Sequence, residues 1–147
     1  MNNSLTERVF DLALWLAGAG HFVILIASSQ VPLRLQWKKD LASLMPFNRK
    51  LLWVQSGFTV LTIIAFGTLT LALHSEMLRG DRAALGIVAF IGTYWTARSA
   101  VDAFYFSHTD WPKGKQFAMG HILLTTLFSL LATTYLALFI WHVWLNK

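Results

Sequence analysis

Apolar residues fall into four long blocks along the chain, at about positions 9–31, 51–74, 83–106 and 117–144. Each block is close to or longer than the ~20 residues that a helix needs to cross the hydrocarbon core of a bilayer. The segments between blocks are short, which places consecutive helices side by side in opposite directions. The pattern predicts an all-α, polytopic membrane protein: an antiparallel four-transmembrane-helix bundle, with residues 1–147 forming a single integral membrane domain.

The segment 33–45 between the first two blocks has a different pattern. Its leucines and tryptophan recur at spacings of four, four and three and share one face, while its lysines turn elsewhere. A helix with these two faces lies in the headgroup region of a membrane. Pro32 is expected to end the first span, Pro46 to end the short helix, and Asn48 to cap the second span. The sequence thus predicts a short interfacial helix between the first two spans.

Composition supports a membrane location. Of the 147 residues, 56% are hydrophobic and 13% are charged, and the mean hydropathy is +0.54. A soluble domain has about 25% charged residues, so a compact soluble helical core is disfavoured. The chain has no cysteine, which excludes disulfides and thiolate metal sites.

The net charge of +5 has a topological interpretation and does not indicate a nucleic-acid partner. Seven basic residues lie in the connections after the first and third spans, against four on the opposite side. Because basic residues concentrate on the cytoplasmic side, both termini are predicted to be non-cytoplasmic. The expected location is a multi-pass position in a membrane such as a bacterial inner membrane, with the lipid bilayer as first partner.

Each predicted span carries a stripe of polar groups, and the stripe on the third span holds two ionisable side chains. Tyr94, Arg98 and Asp102 recur every four residues and therefore share one helix face. At ~1.5 Å per residue, the polar side chains fall into two layers of one leaflet. One layer lies about 6–9 Å from the cytoplasmic ends of the spans (Gln55, Asp102 and His121), and the other lies about 12–15 Å from them (His21 and Arg98). Charged groups at such depth are expensive and usually functional. The predicted polar pocket, open to the cytoplasm, is lined by Arg98, Asp102, His121, His21, Gln55 and Tyr94.

Several ligands remain open for this pocket. A quinone, an isoprenoid or a lipid headgroup would find hydrogen-bond donors in Arg98 and His121, with Asp102 orienting the imidazole. Haem b held by His21 and His121 is a further possibility. A non-haem metal bound by these histidines, Asp102 and His108 is chemically acceptable, but Arg98 would repel a cation.

A second interpretation needs no ligand. Arg98 and Asp102, one helical turn apart, would neutralise each other and fix helix packing in an accessory or assembly subunit of a larger membrane complex, or in a homo-oligomer. The sequence contains neither a nucleophile paired with a base nor a carboxylate pair, so no reaction is assigned.

Overall fold

The computed structural model describes residues 3–106 and 114–145, and within these ranges all regular structure is helical. Four helices are long: α1 (Asn3–Ser28), α4 (Pro46–Ala72), α6 (Arg82–Phe104) and α7 (Lys115–Ile140). Three short helices join them: α2 (Val31–Arg34), α3 (Trp37–Asp40) and α5 (His74–Arg79). A 3₁₀ turn (Leu41–Ser43) follows α3, and a π-helical turn (Trp141–Leu145) continues α7.

The long helices pack as a ring with one weak side. α1 packs along both α4 and α7, and α6 packs along α7. The contact between α4 and α6 is slight; it includes Phe66 of α4, whose ring lies 5.8 Å from that of Phe90 and 5.0 Å from that of Tyr94. Gly67 permits close approach of α1 to α4, because a β-carbon there would lie 2.8 Å from the ring of Phe22.

The core is a narrow column of apolar and aromatic side chains between the four long helices, and most large apolar side chains lie outside it. Trp95, Tyr135, Leu14, Ile24 and Ile91 are at most 1% exposed. Many leucines, isoleucines, valines and phenylalanines on the outer faces are more than 40% exposed. Such a surface is costly in water and favourable in hydrocarbon.

Three helical segments are long and apolar enough to span a membrane: Ser4–Arg34, Pro46–Ala72 and Lys115–Leu145. These helices agree with the predicted multi-pass membrane protein. Helix α6 is not among them. It carries Arg82, Arg98 and Asp102 within 23 residues.

The predicted interfacial helix over 33–45 is not continuous. Gln36 has a φ of 51° in the left-handed region and separates α2 from α3, and an L-residue in this conformation cannot continue a right-handed helix. The predicted capping role of Asn48 is also wrong. Helix α4 begins at Pro46, so Asn48 lies inside its first turn, and the N-cap residue Met45 makes no side-chain cap bond.

The other connections differ less from expectation. The polar stretch after α4 contains helix α5, which is followed by Gly80 with a φ of 78°, a left-handed conformation that glycine commonly adopts at the end of a helix. His74 at the start of α5 contacts Asp11 of α1 at 3.4 Å and stacks on Trp15. The predicted tight connection between the third and fourth spans lies mostly outside the described residues.

Both the helix directions and the charges distinguish one end of the molecule, which we call the basic end. It contains the segment 31–45, the first turns of α4 and α7 and the last turn of α6. A hydrogen bond from Arg34 to Gln116 at 3.3 Å and a ring contact between Trp37 and Trp53 at 6.0 Å join its parts. Its described basic residues are Arg34, Lys38, Lys39, Arg49, Lys50 and Lys115.

Candidate functional site

His21 lies at the centre of the core and forms a polar contact between α1 and α6. Its side chain is fully buried, and its ring meets those of Phe66, Trp95 and Tyr135. The indole N–H of Trp95 donates to His21 Nε2 at 3.0 Å, and His21 Nδ1 lies 2.7 Å from the carbonyl of Ala17. Because an indole only donates and a carbonyl only accepts, His21 is neutral here with its proton on Nδ1.

A second buried hydrogen bond joins α4 to α7 beside this histidine. The hydroxyls of Thr70 and Tyr135 are 2.5 Å apart, and both side chains are fully buried. Thr70 also donates to the carbonyl of Phe66 at 2.8 Å, so Tyr135 is the donor in the shared bond. His21, Trp95, Thr70 and Tyr135 form what we call the central polar cluster, with one residue from each long helix.

The hydrogen bonds that His21 makes in the central polar cluster oppose its role as a ligand of haem iron or of another metal. Both ring nitrogens of His21 already have hydrogen-bond partners, so a metal at Nε2 would have to displace Trp95. The predicted second ligand, His121, is also distant. Trp95 stacks on Phe128 at 5.0 Å, and His121 precedes Phe128 by seven residues, or about 10 Å along the helix.

No group of three or more histidine, cysteine, aspartate or glutamate side chains within 3–106 and 114–145 is arranged to hold a metal ion. His108, one of the predicted non-haem ligands, lies outside the described residues.

Arg98 lies one turn from the central polar cluster toward the basic end. Its guanidinium carbon lies 5.1 Å from the centre of the Phe128 ring, a cation–π contact with α7. Its Nη1 atom is buried and has no hydrogen-bond partner among the described residues, and the same holds for the hydroxyl of the adjacent Ser99. A buried guanidinium nitrogen without an acceptor is costly.

Asp102 is held by α7 and not by Arg98. Its carboxylate is 8% exposed, accepts a hydrogen bond from the Thr125 hydroxyl at 2.7 Å and lies 3.8 Å from His121 Nε2. No ion pair within 4 Å joins Arg98 to Asp102 in the described chain, so the mutual neutralisation considered from their spacing does not occur. The predicted juxtaposition of Asp102 and His121 is present.

Arg98 and Tyr94 lie on one face of α6, four residues apart, and Tyr94 meets Phe66 of α4. On α4, Gln55 precedes Phe66 by 11 residues, about three turns, so it shares the helix face of Phe66. Beyond the contact of Phe66 with Tyr94, toward the basic end, the two helices part. Every side chain at positions 47–61 is exposed except Arg49 and Ser56, which are half-buried.

The contact of Phe66 with Tyr94 is the inner limit of the exposed stretch of α4, and Arg98 lies about 6 Å from that limit toward the basic end. Gln55 is exposed and lies about 16 Å from the same limit. The predicted residues thus divide between an inner contact (His21), a middle layer (Tyr94, Arg98, Asp102, His121) and an outer position (Gln55).

The two best-defined surface depressions among the described residues are open and lie away from these residues, with volumes of about 260 and 570 Å³. The smaller lies beside Glu7, Arg8 and Asp11, and the larger beside Arg34 and Trp37 at the basic end.

Sequence reasoning missed three members of the arrangement: Thr70, Tyr135 and Phe128. A tyrosine in the middle of an apolar span is a recognisable signal, because its buried hydroxyl needs a partner. Thr70 and Phe128 carry no such signal, since threonine bonds to its own helix in most spans and phenylalanine is common there.

Comparison of the chain with protein-family models, with curated proteins and with solved structures finds no match.

Proposed function

We propose that this protein is a four-span membrane protein that binds, at Arg98, the polar head of an amphiphilic molecule. The single observation that supports this most directly is the buried Nη1 atom of Arg98, which has no hydrogen-bond partner in the described chain. The Nη1 atom carries two N–H donors and lies in apolar surroundings. It therefore favours a ligand whose oxygens accept hydrogen bonds, and a negatively charged head most of all.

Helix α6 is proposed as the fourth span. Its 23 residues correspond to about 35 Å, enough to cross the hydrocarbon core. It packs along α7, a candidate span, and its Phe90 and Val101 side chains are exposed. Its charged groups face α7, where Phe128 and Thr125 contact them. Ionisable residues of a membrane helix commonly face the protein interior in this way.

The basic end is proposed to face the cytoplasm. The six basic residues described there outnumber the three on the opposite side, Arg8, Arg79 and Arg82, and positive charge concentrates on the cytoplasmic side. Arg98 precedes the end of α6 by six residues, about 9 Å. The polar head would therefore lie in the inner half of the bilayer, below the level of the surrounding headgroups.

Asp102 and His121 are proposed to adjust the charge beside the bound head. Asp102 adds a negative charge one turn from Arg98, and its bond to Thr125 keeps it directed at α7. His121 lies close enough to Asp102 for a charged contact when protonated. A quinone head at this position would exchange its proton with the imidazole of His121.

The test uses the purified protein in an uncharged detergent. Dodecyl phosphate is titrated as the anionic probe and decylubiquinone as the quinone probe, and the thermal midpoint is followed by circular dichroism. Because a ligand that binds only the folded state stabilises it, dodecyl phosphate should raise the midpoint of the unaltered protein. In Arg98→Gln the affinity should fall about tenfold or more, the worth of a charged hydrogen bond.

Arg82→Gln is the matched control, because Arg82 is an exposed arginine at the other end of the same helix. The proposal predicts that this variant binds dodecyl phosphate like the unaltered protein. Equal binding by all three proteins would contradict a site at Arg98. If decylubiquinone alone stabilises the protein and this effect is lost in Arg98→Gln, the result would support a site at Arg98 that binds a quinone head and not an anionic head.

A second candidate function, a subunit that docks on a larger membrane protein, is favoured by the exposure of positions 47–61 around the whole circumference of α4. Photo-crosslinking from Phe58, which is 60% exposed, tests it in native membranes. A defined protein adduct at Phe58, absent from a probe at the buried Trp95, would support docking. Adducts of lipid alone would oppose it.

A further inference from the structure

The larger of the two surface depressions lies between the connecting segment 31–45 and the start of α7. Positions 34–37, 40 and 41 form one wall and Phe117 forms the other, around an open volume of about 570 Å³. Arg34 is the last residue of Ser4–Arg34, a segment able to span a membrane, and Phe117 is the third residue of another, Lys115–Leu145. Because both walls lie at the ends of such segments, the depression would lie in the headgroup layer of a bilayer. We call it the basic-end depression.

The guanidinium of Arg34 is held beside this depression by two amides. Its Nε and Nη2 atoms donate to Gln30 Oε1 at 3.1 and 2.8 Å, and its Nη1 atom donates to Gln116 Oε1 at 3.3 Å. These bonds use three of the five N–H donors of a guanidinium and leave two for a further acceptor. Both amides are neutral, and within 3–106 and 114–145 no carboxylate forms an ion pair with Arg34. The position of Arg34 is therefore fixed while its charge is not neutralised.

The charges around Arg34 favour an anion. Lys38 and Lys39 follow it in the connecting segment, Lys115 begins α7, and all three side chains are exposed. Asp40 is the acidic residue of the lining. Each basic side chain near a membrane surface strengthens the binding of an anionic lipid about fivefold. The balance of four cations against one carboxylate therefore attracts an anionic headgroup.

The rest of the lining is mostly apolar and suits a lipid better than a soluble anion. It includes Leu35, Trp37, Leu41 and Phe117. Trp37 also contacts the ring of Trp53 at 6.0 Å, which joins this wall to α4, and tryptophan is favourable at the headgroup level of a membrane. Inorganic phosphate would leave these side chains without a partner, whereas the glycerol and first methylene groups of a phospholipid would contact them.

We propose that the basic-end depression binds an anionic phospholipid from the leaflet at that end. Its phosphate accepts hydrogen bonds from the two remaining N–H donors of Arg34. Its glycerol and first methylene groups contact Trp37 and Phe117, and its acyl chains extend into the bilayer. This site does not use Arg98, so it is independent of the proposed function. In the dodecyl phosphate titration, binding at Arg34 would contribute equally to the unaltered protein, Arg98→Gln and Arg82→Gln and would leave their difference unchanged.

Two phenylalanines at the basic end allow a matched photo-crosslinking experiment. Benzoylphenylalanine is incorporated in place of Phe117, which lines the depression, or in place of Phe47, which is 72% exposed in the first turn of α4 and does not line it. Phe47 lies close in sequence to Arg49 and Lys50, so it reports the general attraction of anionic lipid to the basic end. Each protein is reconstituted in vesicles with equal amounts of phosphatidylglycerol and phosphatidylcholine, irradiated, and analysed by mass spectrometry.

The measured quantity is the ratio of phosphatidylglycerol to phosphatidylcholine adducts. The ratio at Phe117 should exceed that at Phe47 about fivefold, the contribution of one basic side chain. Equal ratios at the two positions would overturn the proposal. This comparison leaves Arg34 unaltered, so it does not depend on whether a variant at Arg34 folds.

Two further variants test whether Arg34 holds the phosphate. Arg34→Gln should reduce the ratio at Phe117 to that at Phe47, whereas Arg49→Gln, which removes the same charge from the first turns of α4, should leave the ratio at Phe117 high. A high ratio that survives Arg34→Gln would overturn the proposal. So would a protein adduct in place of a lipid adduct when the probe at Phe117 is irradiated in native membranes, and that result would indicate a protein partner.

Discussion

The hydrogen bond between Thr70 and Tyr135 allows a stability prediction. The order of stability among the variants tests it more sharply than the size of each change in the free energy of unfolding. Tyr135 donates to Thr70, and Thr70 donates to its own helix. Thr70→Val therefore leaves a buried tyrosine hydroxyl without an acceptor, whereas Tyr135→Phe removes the hydroxyl and leaves Thr70 with its bond to Phe66. Leaving a buried donor unsatisfied costs about 1–3 kcal/mol, and losing an ordinary hydrogen bond about 0.5–1.5 kcal/mol.

Inside a membrane protein the measured range for such bonds ends near ~2 kcal/mol. We therefore expect Thr70→Val to lower the free energy of unfolding by about 1–2 kcal/mol and Tyr135→Phe by about 0.5–1 kcal/mol. The double variant should be more stable than Thr70→Val alone, because it no longer buries an unpaired hydroxyl. Few other contacts change, since both substitutions nearly conserve side-chain volume.

The assay is equilibrium unfolding in mixed micelles with increasing sodium dodecyl sulfate, followed by near-ultraviolet circular dichroism. The four proteins of the cycle give the coupling free energy between the two positions. A double variant less stable than both single variants, or a coupling near zero, would refute the assignment of Tyr135 as the donor and of the bond as a buried contact.

Three further predictions concern other parts of the fold. Gly67→Ala should lower the free energy of unfolding by about 1–3 kcal/mol through its clash with Phe22, whereas Gly57→Ala should be neutral or stabilising; equal effects in the same micelle assay would contradict the close approach of α1 and α4. Gln36→Gly should raise the free energy of unfolding and Gln36→Val should lower it, each by about 1 kcal/mol, because residue 36 has a left-handed backbone conformation. The opposite order of stability would contradict that conformation. Asp102→Asn should bind dodecyl phosphate severalfold more tightly by calorimetric titration, because it removes a negative charge near Arg98; weaker binding would instead place Asp102 among the groups that hold the ligand.

The four long helices could be predicted from the apolar blocks, because block length is set by the thickness of the bilayer. Their ends could not. Helix α4 begins at Pro46, five residues before its apolar block, because polar residues outside the hydrocarbon continue the helix as readily as apolar ones. The break at Gln36 has no sequence signal either, since glutamine is not a typical left-handed residue.

Part of the candidate site was also predictable from spacing alone. The four-residue period of Tyr94, Arg98 and Asp102 determines that they share a face, and Asp102 does lie beside His121. The partners of that face depend on helix rotation and on the angle between α4 and α6, which spacing does not determine. For this reason the bond of Trp95 to His21 and the contact of Arg98 with Phe128 became visible only in the structure.

The central claim is that the guanidinium of Arg98 binds the anionic head of an amphiphilic molecule, and the distance between these groups can be measured directly. The protein with Arg34→Gln, which removes the site proposed at the basic end, is labelled with ¹⁵N-arginine and reconstituted with dodecyl phosphate in bilayers of an uncharged glycolipid. Solid-state magnetic resonance then measures ¹⁵N–³¹P dipolar dephasing. We predict a dephased guanidinium signal that is retained on adding Arg82→Gln and lost on adding Arg98→Gln. A dephasing signal of the same size with Arg98→Gln, or none with Arg98 intact, would contradict the account.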